Sequence, residues 1–293
     1  MDYSVLMSVY SREKAEYLRH AVNSMLNQTV LPKEFVLVCD GPLGPELTEV
    51  VEEFRNSRPD LFNIVTLPEN RGLAGALNEG LKACTCEWIA RMDSDDISLA
   101  NRIEKQFKLA QATGATLLSG TVAEFSGCQE ADENDSEDRA LLSMITRAEA
   151  GGLELPRRSL PLTDEEIRKF ARKRNPMNHP AVLMRREAVE AVGGYRTDYP
   201  YFEDYDLWLR MLKNGVKAAN EKDVILLMRA GEGLYDRRGG KEYKAYMKAF
   251  RKRMLKEKDC SRWDYFTSVV IRSVVAAMPS GLRKRFYGRV LRK

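Results

Sequence analysis

Apolar and polar positions follow two alternating periods along the first 125 residues of this chain. Short, almost unbroken apolar runs at Tyr3–Tyr10, Glu34–Cys39, Phe62–Leu67, Glu87–Met92 and Thr116–Phe125 have the length of strands buried on both faces. Between them, apolar residues return every three or four positions. Ala15, Leu18, Val22, Met25 and Leu26 share one face of a helix predicted over Glu13–Gln28. Leu47, Val50, Val51 and Phe54 do the same over Glu46–Arg58. Asn70-Arg71-Gly72 is a turn that opens a third helix running to Ala83, and Leu99–Thr113 is a fourth. Four strand–helix alternations in about 115 residues predict right-handed crossovers and a doubly wound, mostly parallel α/β sheet with helices on both faces.

The rhythm stops after Phe125. Gln129–Arg139 is acidic and almost without apolar residues, so it reads as an exposed loop. A short helix is predicted over Ala140–Ala150, broken by Gly151-Gly152. Thr163-Asp-Glu-Glu166 is a capping box for a helix to Arg174. Asn175–Pro180 is a loop, Ala181–Met184 a strand, and Arg186–Val192 a helix closed by Gly193-Gly194. Tyr201–Trp208 opens a helix ending near Asn214-Gly215, and Val224–Arg229 reads as an edge strand. Two further helices are predicted, over Trp263–Met278 and Leu282–Lys293.

Composition adds a boundary and an asymmetry. With 44% hydrophobic and 31% charged residues in 293, the chain has the makeup of a soluble globular protein of one large domain or slightly more. Five scattered cysteines, an odd number, suit a reducing compartment. Asp2 and Arg12 interrupt any apolar leader, and no apolar run reaches the ~18 to 20 residues of a membrane span. The net charge of +4 is unevenly spread: Met228–Lys293 carries 19 Lys+Arg against 6 Asp+Glu, a balance of +13, which leaves −9 for the rest. A basic tail on an acidic body points to an anionic surface, membrane or nucleic acid. The same helices also suit a solvated cap on the body, and no nucleic-acid motif accompanies the charge.

Candidate chemistry gathers at the strand ends. Met92 is followed by Asp93-Ser94-Asp95-Asp96, three carboxylates within four residues. Acids this close repel and need a neutralising partner, for which a hard divalent cation is suited. The same residues also suit an acidic turn in which Asp96 or Ser98 caps the next helix. Asp40 ends the second strand and Arg71 opens the third helix, so with the acids they fall on one crevice of an open sheet. Asp40 can accept from a ring N–H and Arg71 can pair with phosphate; a nucleoside diphosphate with a metal would use all three. No Gly-x-x-x-x-Gly-Lys-Ser/Thr loop is present.

The segments SVLMSVY, VCDGP, NRGLAGALNEGL, MDSDD, NPMNHPAV, VGGYR and FEDYDLWLR, in this order from Tyr3 to Gly231, resemble family 2 glycosyltransferases of GT-A fold. The resemblance is strongest to the bacterial branch of amylovoran and O-antigen β-glycosyltransferases. MDSDD resembles its DXD metal motif and FEDYD its ED base motif. The resemblance implies a GT-A domain over 1–231, with a donor half at 1–125 and an acceptor half at 126–231. The basic helical region 232–293 would dock on an anionic membrane surface.

The same resemblance implies roles. Ser8 and Tyr10 line the nucleotide pocket, Asp40 contacts uracil and Arg71 the nucleotide. Asp93 and Asp95 hold the ribose, diphosphate and Mg²⁺ or Mn²⁺, with Asp95 the favoured direct ligand. Asp204 is the catalytic base, Glu203 shapes its surroundings, and His179 contacts the acceptor. The implied reaction is inverting transfer of glucose or galactose from a UDP-sugar to a sugar on undecaprenyl diphosphate. It would give a β-linkage in surface-polysaccharide assembly, on the inner face of the cytoplasmic membrane. A nucleotidyltransferase would lack the Glu203-Asp204 base, and a non-catalytic subunit would bind UDP without turnover. The chain departs from the family pattern at Cys39-Asp40-Gly41-Pro42, where many members have Asp-Asp-Gly-Ser, and Cys128–Leu155 is longer than usual.

Overall fold

Strands β1 (Tyr3–Val9), β2 (Glu34–Cys39) and β3 (Phe62–Thr66) lie parallel, β2 between the other two. The crossovers are α1 (Ala15–Leu26) and α2 (Pro45–Ser57). After α3 (Gly72–Ala83), strand β4 (Trp88–Met92) returns to the free side of β1, again parallel. All four carboxyl ends therefore share one edge. The structure, a computed structural model, describes residues 1–126, 137–152, 154–230 and 241–277.

Strand alternation divides the core. Val5, Met7, Val9, Phe35 and Leu37 face Leu18, Val22, Met25, Val50 and Phe54 on α1 and α2. Leu6, Val36 and Val38 face Ala76, Leu77 and Leu81 on α3. Both sets are buried, as the unbroken apolar strands required.

Past β4 the sheet becomes mixed. The elements are β5 (Ile97–Ser98), α4 (Arg102–Thr113), β6 (Leu117–Phe125), α5 (Glu137–Glu149), β7 (Arg157–Arg158), α6 (Asp164–Ala171), β8 (Leu183–Arg185), α7 (Arg186–Glu190), α8 (Glu203–Lys213) and β9 (Ala218–Arg229). The order is β3-β2-β1-β4-β8-β6-β9-β5, with β7 on β6. β8 runs antiparallel between β4 and β6, while β6 and β9 are parallel.

Several expectations shift. Strand β9 is not an edge: it lies between β6 and β5, and it begins at Ala218, six residues before the predicted start. Its first half, AANEKD, is too polar to read as a strand, and register shifts at Gly120–Val122 mark where β6 accommodates it. Helix α4 starts at Arg102 instead of Leu99, because Ile97 and Ser98 pair with β9 and the Leu99 N–H donates to Ile225 O at 3.0 Å. Residues His179–Ala181 form a 3-10 turn, so β8 starts two residues late. The capping box at Thr163 and Glu166 is present with both hydrogen bonds. Most of the predicted acidic loop, and the whole helix predicted from Leu282, lie outside the described residues.

Helices α9 (Lys241–Lys256) and α10 (Arg262–Ala277) follow. The apolar face of α9 is spent on the body: Met247, Phe250 and Met254 are fully buried, and Phe250 stacks on Phe202 at 5.0 Å. Arg253 is also buried, with Asp206 at 3.2 Å, Asp259 at 3.2 Å and Glu257 at 3.0 Å. Asp206, itself fully buried, also holds Arg210 at 2.6 Å. Part of the tail's positive charge is thus neutralised inside the fold. On α10, by contrast, Trp263 and Phe266 stack on each other at 69% and 57% exposure. Among the described residues no helix is long and apolar enough to cross a membrane.

Candidate active site

The turn Asp93–Asp96 carries the chain from β4 to β5, and β5 is pinned by β9. That pairing sets the last residue of β9 against the acids. The Arg229 N–H donates to Asp96 Oδ1 at 2.8 Å, and its Nε donates to the Asp95 carbonyl at 3.0 Å. The guanidinium carbon lies over the rings of Tyr17 (3.7 Å) and Phe125 (4.7 Å). Ser94 Oγ donates to Glu13 Oε2 at 2.7 Å, tying the turn to the start of α1. Helix α4 begins after Asn101 with no side-chain cap, so the capping alternative for Asp96 is not what this turn does.

Oxygens of Asp93, Asp95 and Asp96 lie within 4.8 Å of one another. Burial, then Asp93 and Glu13, raise the Asp95 carboxyl to about 7. Burial, then Asp95 and Asp93, raise that of Asp96 as well. Asp96 Oδ2 is buried without a hydrogen-bond partner. A buried, partnerless oxygen beside two more carboxylates is a donor set that fits a hard divalent cation.

Arg91 supports this cluster from below. It is fully buried in β4 and donates through Nη2 to Asp93. An arginine inside an apolar strand was a legible anomaly in WIARM, and sequence reasoning passed over it.

The second pair of acids opens α8, whose first residue is Glu203. Asp204 Oδ2 accepts from Asn175 Nδ2 at 2.6 Å and Oδ1 from the Tyr205 N–H at 2.6 Å, so the carboxylate is held as an acceptor. Burial, then the Asp204 charge, raise Glu203 from 4.5 to about 7. Backbone N–H groups of Glu203 and Tyr201 hold the ionised form back toward the ordinary value. Tyr201 adopts a left-handed φ of 71°, a conformation that costs a tyrosine about 1 kcal/mol or more.

His179 and Tyr195 pack together against α8. His179 Nε2 and the Tyr195 hydroxyl are 2.9 Å apart, and Trp208 meets the imidazole edge-on at 5.8 Å. Burial, then Arg91, push the imidazole well below its ordinary value, so His179 is neutral. The Tyr195 phenol is raised by burial and by Asp204, Glu203 and Asp93, and lowered by Arg91. Acids of both groups therefore act electrostatically on the same buried tyrosine. Asn78 on α3 grips the Tyr195 backbone with two 2.8 Å hydrogen bonds, and at Gly194 (φ +68°) a Cβ would sit 2.6 Å from Asn78 Oδ1.

Ser8 is at the end of β1, in register with Val38, and Tyr10 follows, 38% exposed. Asp40 is buried at the end of β2, and its Oδ1 accepts from the Arg71 N–H at 2.7 Å. Gly41 (φ +85°) lets the two loops touch, since a Cβ there would sit 2.7 Å from Asn70 N. Asp40 and Arg71 thus meet through backbone. The Arg71 guanidinium runs along α3 to Glu79 Oε1 at 3.2 Å, away from the acids. Arg91, Asn175, Tyr195 and Arg229 are site residues the sequence reading left without a role.

The model of glycosyl transferase family 2 matches residues 4–193. The chain is 36% identical to "Amylovoran biosynthesis glycosyltransferase AmsE" of Erwinia amylovora over 288 residues, 97% of each chain. It is 31% identical to "UDP-Gal:alpha-D-GlcNAc-diphosphoundecaprenol beta-1,3-galactosyltransferase" of Escherichia coli over 294 residues, covering 99% of this chain and 97% of that one. S. aureus TarS 1-349, solved in complex with UDP-GlcNAc, superposes with a TM-score of 0.59 at 16% identity, over 87% of this chain and 67% of that one. That likeness carries the GT-A fold.

Proposed function

We propose, from the premise that this chain belongs to glycosyl transferase family 2, that it transfers glucose or galactose from a UDP-sugar to a sugar on a lipid diphosphate, with inversion. The setting would be exopolysaccharide or O-antigen assembly, as the names of the two relatives suggest. The observation that carries the reading is a triad of carboxylates with a partnerless buried oxygen at the end of β4, joined with a pair of acids at the start of α8 that acts on the same buried Tyr195.

In this reading Asp40, Ser8 and Tyr10 receive the nucleoside. Arg71 would leave Glu79 to meet the nucleotide, a rotation of an exposed side chain. Asp95, with Asp93 and Asp96, would hold Mg²⁺ or Mn²⁺, which when bound would supply positive charge against the departing diphosphate. Arg91 would orient the Asp93 carboxylate through its Nη2 donor. Asp204, fixed by Asn175, takes the proton from the acceptor hydroxyl as the oxygen attacks C1 from the face opposite the diphosphate. An α-linked donor then gives a β-linked product. Glu203, its carboxyl raised to about 7, carries less than a full charge near neutrality, which limits negative charge beside Asp204. His179, neutral and bonded to Tyr195, would contact the acceptor.

The tail would bring the enzyme to its lipid-linked acceptor at the cytoplasmic membrane face. Because the apolar face of α9 is buried, docking falls to Trp263 and Phe266 together with the surrounding cations. Replacing both with serine should abolish cosedimentation with phosphatidylglycerol vesicles; unchanged sedimentation would refute docking through them. A thermal-shift panel tests the donor half. UDP with Mn²⁺ should raise the melting temperature, while ADP, GDP, or UDP with chelator should not. A shift indifferent to chelator would refute the metal-dependent reading.

A further inference from the structure

The chain entering α8 presents an aromatic surface that the reaction described so far does not use. Tyr201, two residues before Glu203, is 46% exposed although it is a large ring on an ordered loop. It meets two rings of α9: Tyr243 at 5.6 Å, T-shaped, and Tyr246 at 6.2 Å. Phe202 lies against Tyr243 at 5.5 Å and stacks on the buried Phe250, which anchors the group to the core. The rings are held by the fold, and Tyr201 is held in a backbone conformation that a tyrosine rarely adopts.

The buried tyrosines use their hydroxyls inside the fold. Tyr3, Tyr195 and Tyr205 each spend theirs on a protein partner. Those of Tyr201, Tyr243 and Tyr246 make no hydrogen bond among the described residues. Rings with apolar faces and unused hydroxyls at their rim match a pyranose, which offers a face of C–H groups and a rim of hydroxyls. The surface adjoins the acid pair in the chain, since Tyr201 and Phe202 lead directly into Glu203 and Asp204 at the start of α8.

We propose that Tyr201, with Tyr243 and Tyr246, forms the saccharide subsite for the acceptor, seating the sugar ring whose hydroxyl faces Asp204. This rests on the transferase reading above and deepens it. The left-handed turn at Tyr201 then has one purpose: it aims the N–H at Glu203 and the ring at the sugar.

The test uses the full-length protein and a soluble α-GlcNAc-diphospho-alkyl probe. In saturation-transfer NMR, wild-type protein passes magnetisation to the probe's sugar C–H protons. Tyr201→Gly, which accepts the positive φ without strain and keeps the N–H, loses that transfer, and Tyr201→Phe keeps it. Tyr246→Ser weakens it and guards against a folding defect at residue 201. In turnover with UDP-galactose, Tyr201→Gly raises the probe KM about five- to tenfold, with the donor KM within twofold of wild type. Saturation transfer equal in wild type and Tyr201→Gly, or absent from wild type, overturns the subsite. Saturation transfer present in a protein that turns over no UDP-sugar upholds the subsite and refutes the transferase reading instead.

Discussion

Glu203→Gln is expected to make the protein more stable and less active. The carboxyl is raised from 4.5 to about 7 by burial and by Asp204, so its charged form is disfavoured in the fold relative to the unfolded chain. A group raised in this way contributes its full stability below its unfolded pKa, near 4.5, and loses it as pH rises through about 7. At about 1.4 kcal/mol per pH unit, the wild-type fold should lose about 2 to 3 kcal/mol from this residue between pH 4.5 and 8. Glutamine, a neutral isostere that still accepts the Tyr201 N–H, does not titrate. The variant should match wild type near pH 4.5 and exceed it at pH 8 by about 2 to 3 kcal/mol, a rise of roughly 5–10 °C in melting temperature. Thermal denaturation of both proteins at pH 4.5, 6 and 8 measures the difference. Equal melting temperatures at pH 8, or a gap that does not grow with pH, would refute the reasoning that burial drives this shift.

Other outcomes follow from the same geometry. Asp204→Asn should still bind UDP with Mn²⁺ yet transfer about 10²-fold more slowly or worse, measured as product formed at saturating substrates. Asp95 shares the sign of Glu203: raised to about 7, it destabilises the metal-free fold as pH rises past that value, so added Mn²⁺ should raise the melting temperature more at pH 8 than at pH 6. Asp206→Asn leaves buried Arg210 and Arg253 without their shared carboxylate and should cost about 3–5 kcal/mol in urea unfolding. Phe250→Ala removes the ring that joins α9 to Phe202 and Tyr205 and should cost about 3–5 kcal/mol by the same assay.

What the chain determines by itself is what local periodicity can encode. The runs Tyr3–Val9, Glu34–Cys39 and Trp88–Met92 are apolar on both faces, so they could only be central strands, and their carboxyl ends deliver Asp40 and Asp93–Asp96 to one edge. Thr163 and Glu166 start α6 through contacts three residues apart. The tertiary structure decided the rest, because pairing and desolvation join residues far apart in the chain. Arg229 reaches Asp96 across 133 residues only because β9 runs inside the sheet, and its polar first half hid that strand. Asn78 grips Tyr195 across 117 residues, and Tyr195 in turn feels the charges of both acid groups. The carboxyls of Asp95 and Glu203 are raised first of all by burial, and burial is a property of the packed chain. The +13 of the tail was legible as charge; that Arg253 turns inward to Asp206 while Trp263 and Phe266 stay outside was set by which face of each helix found a partner.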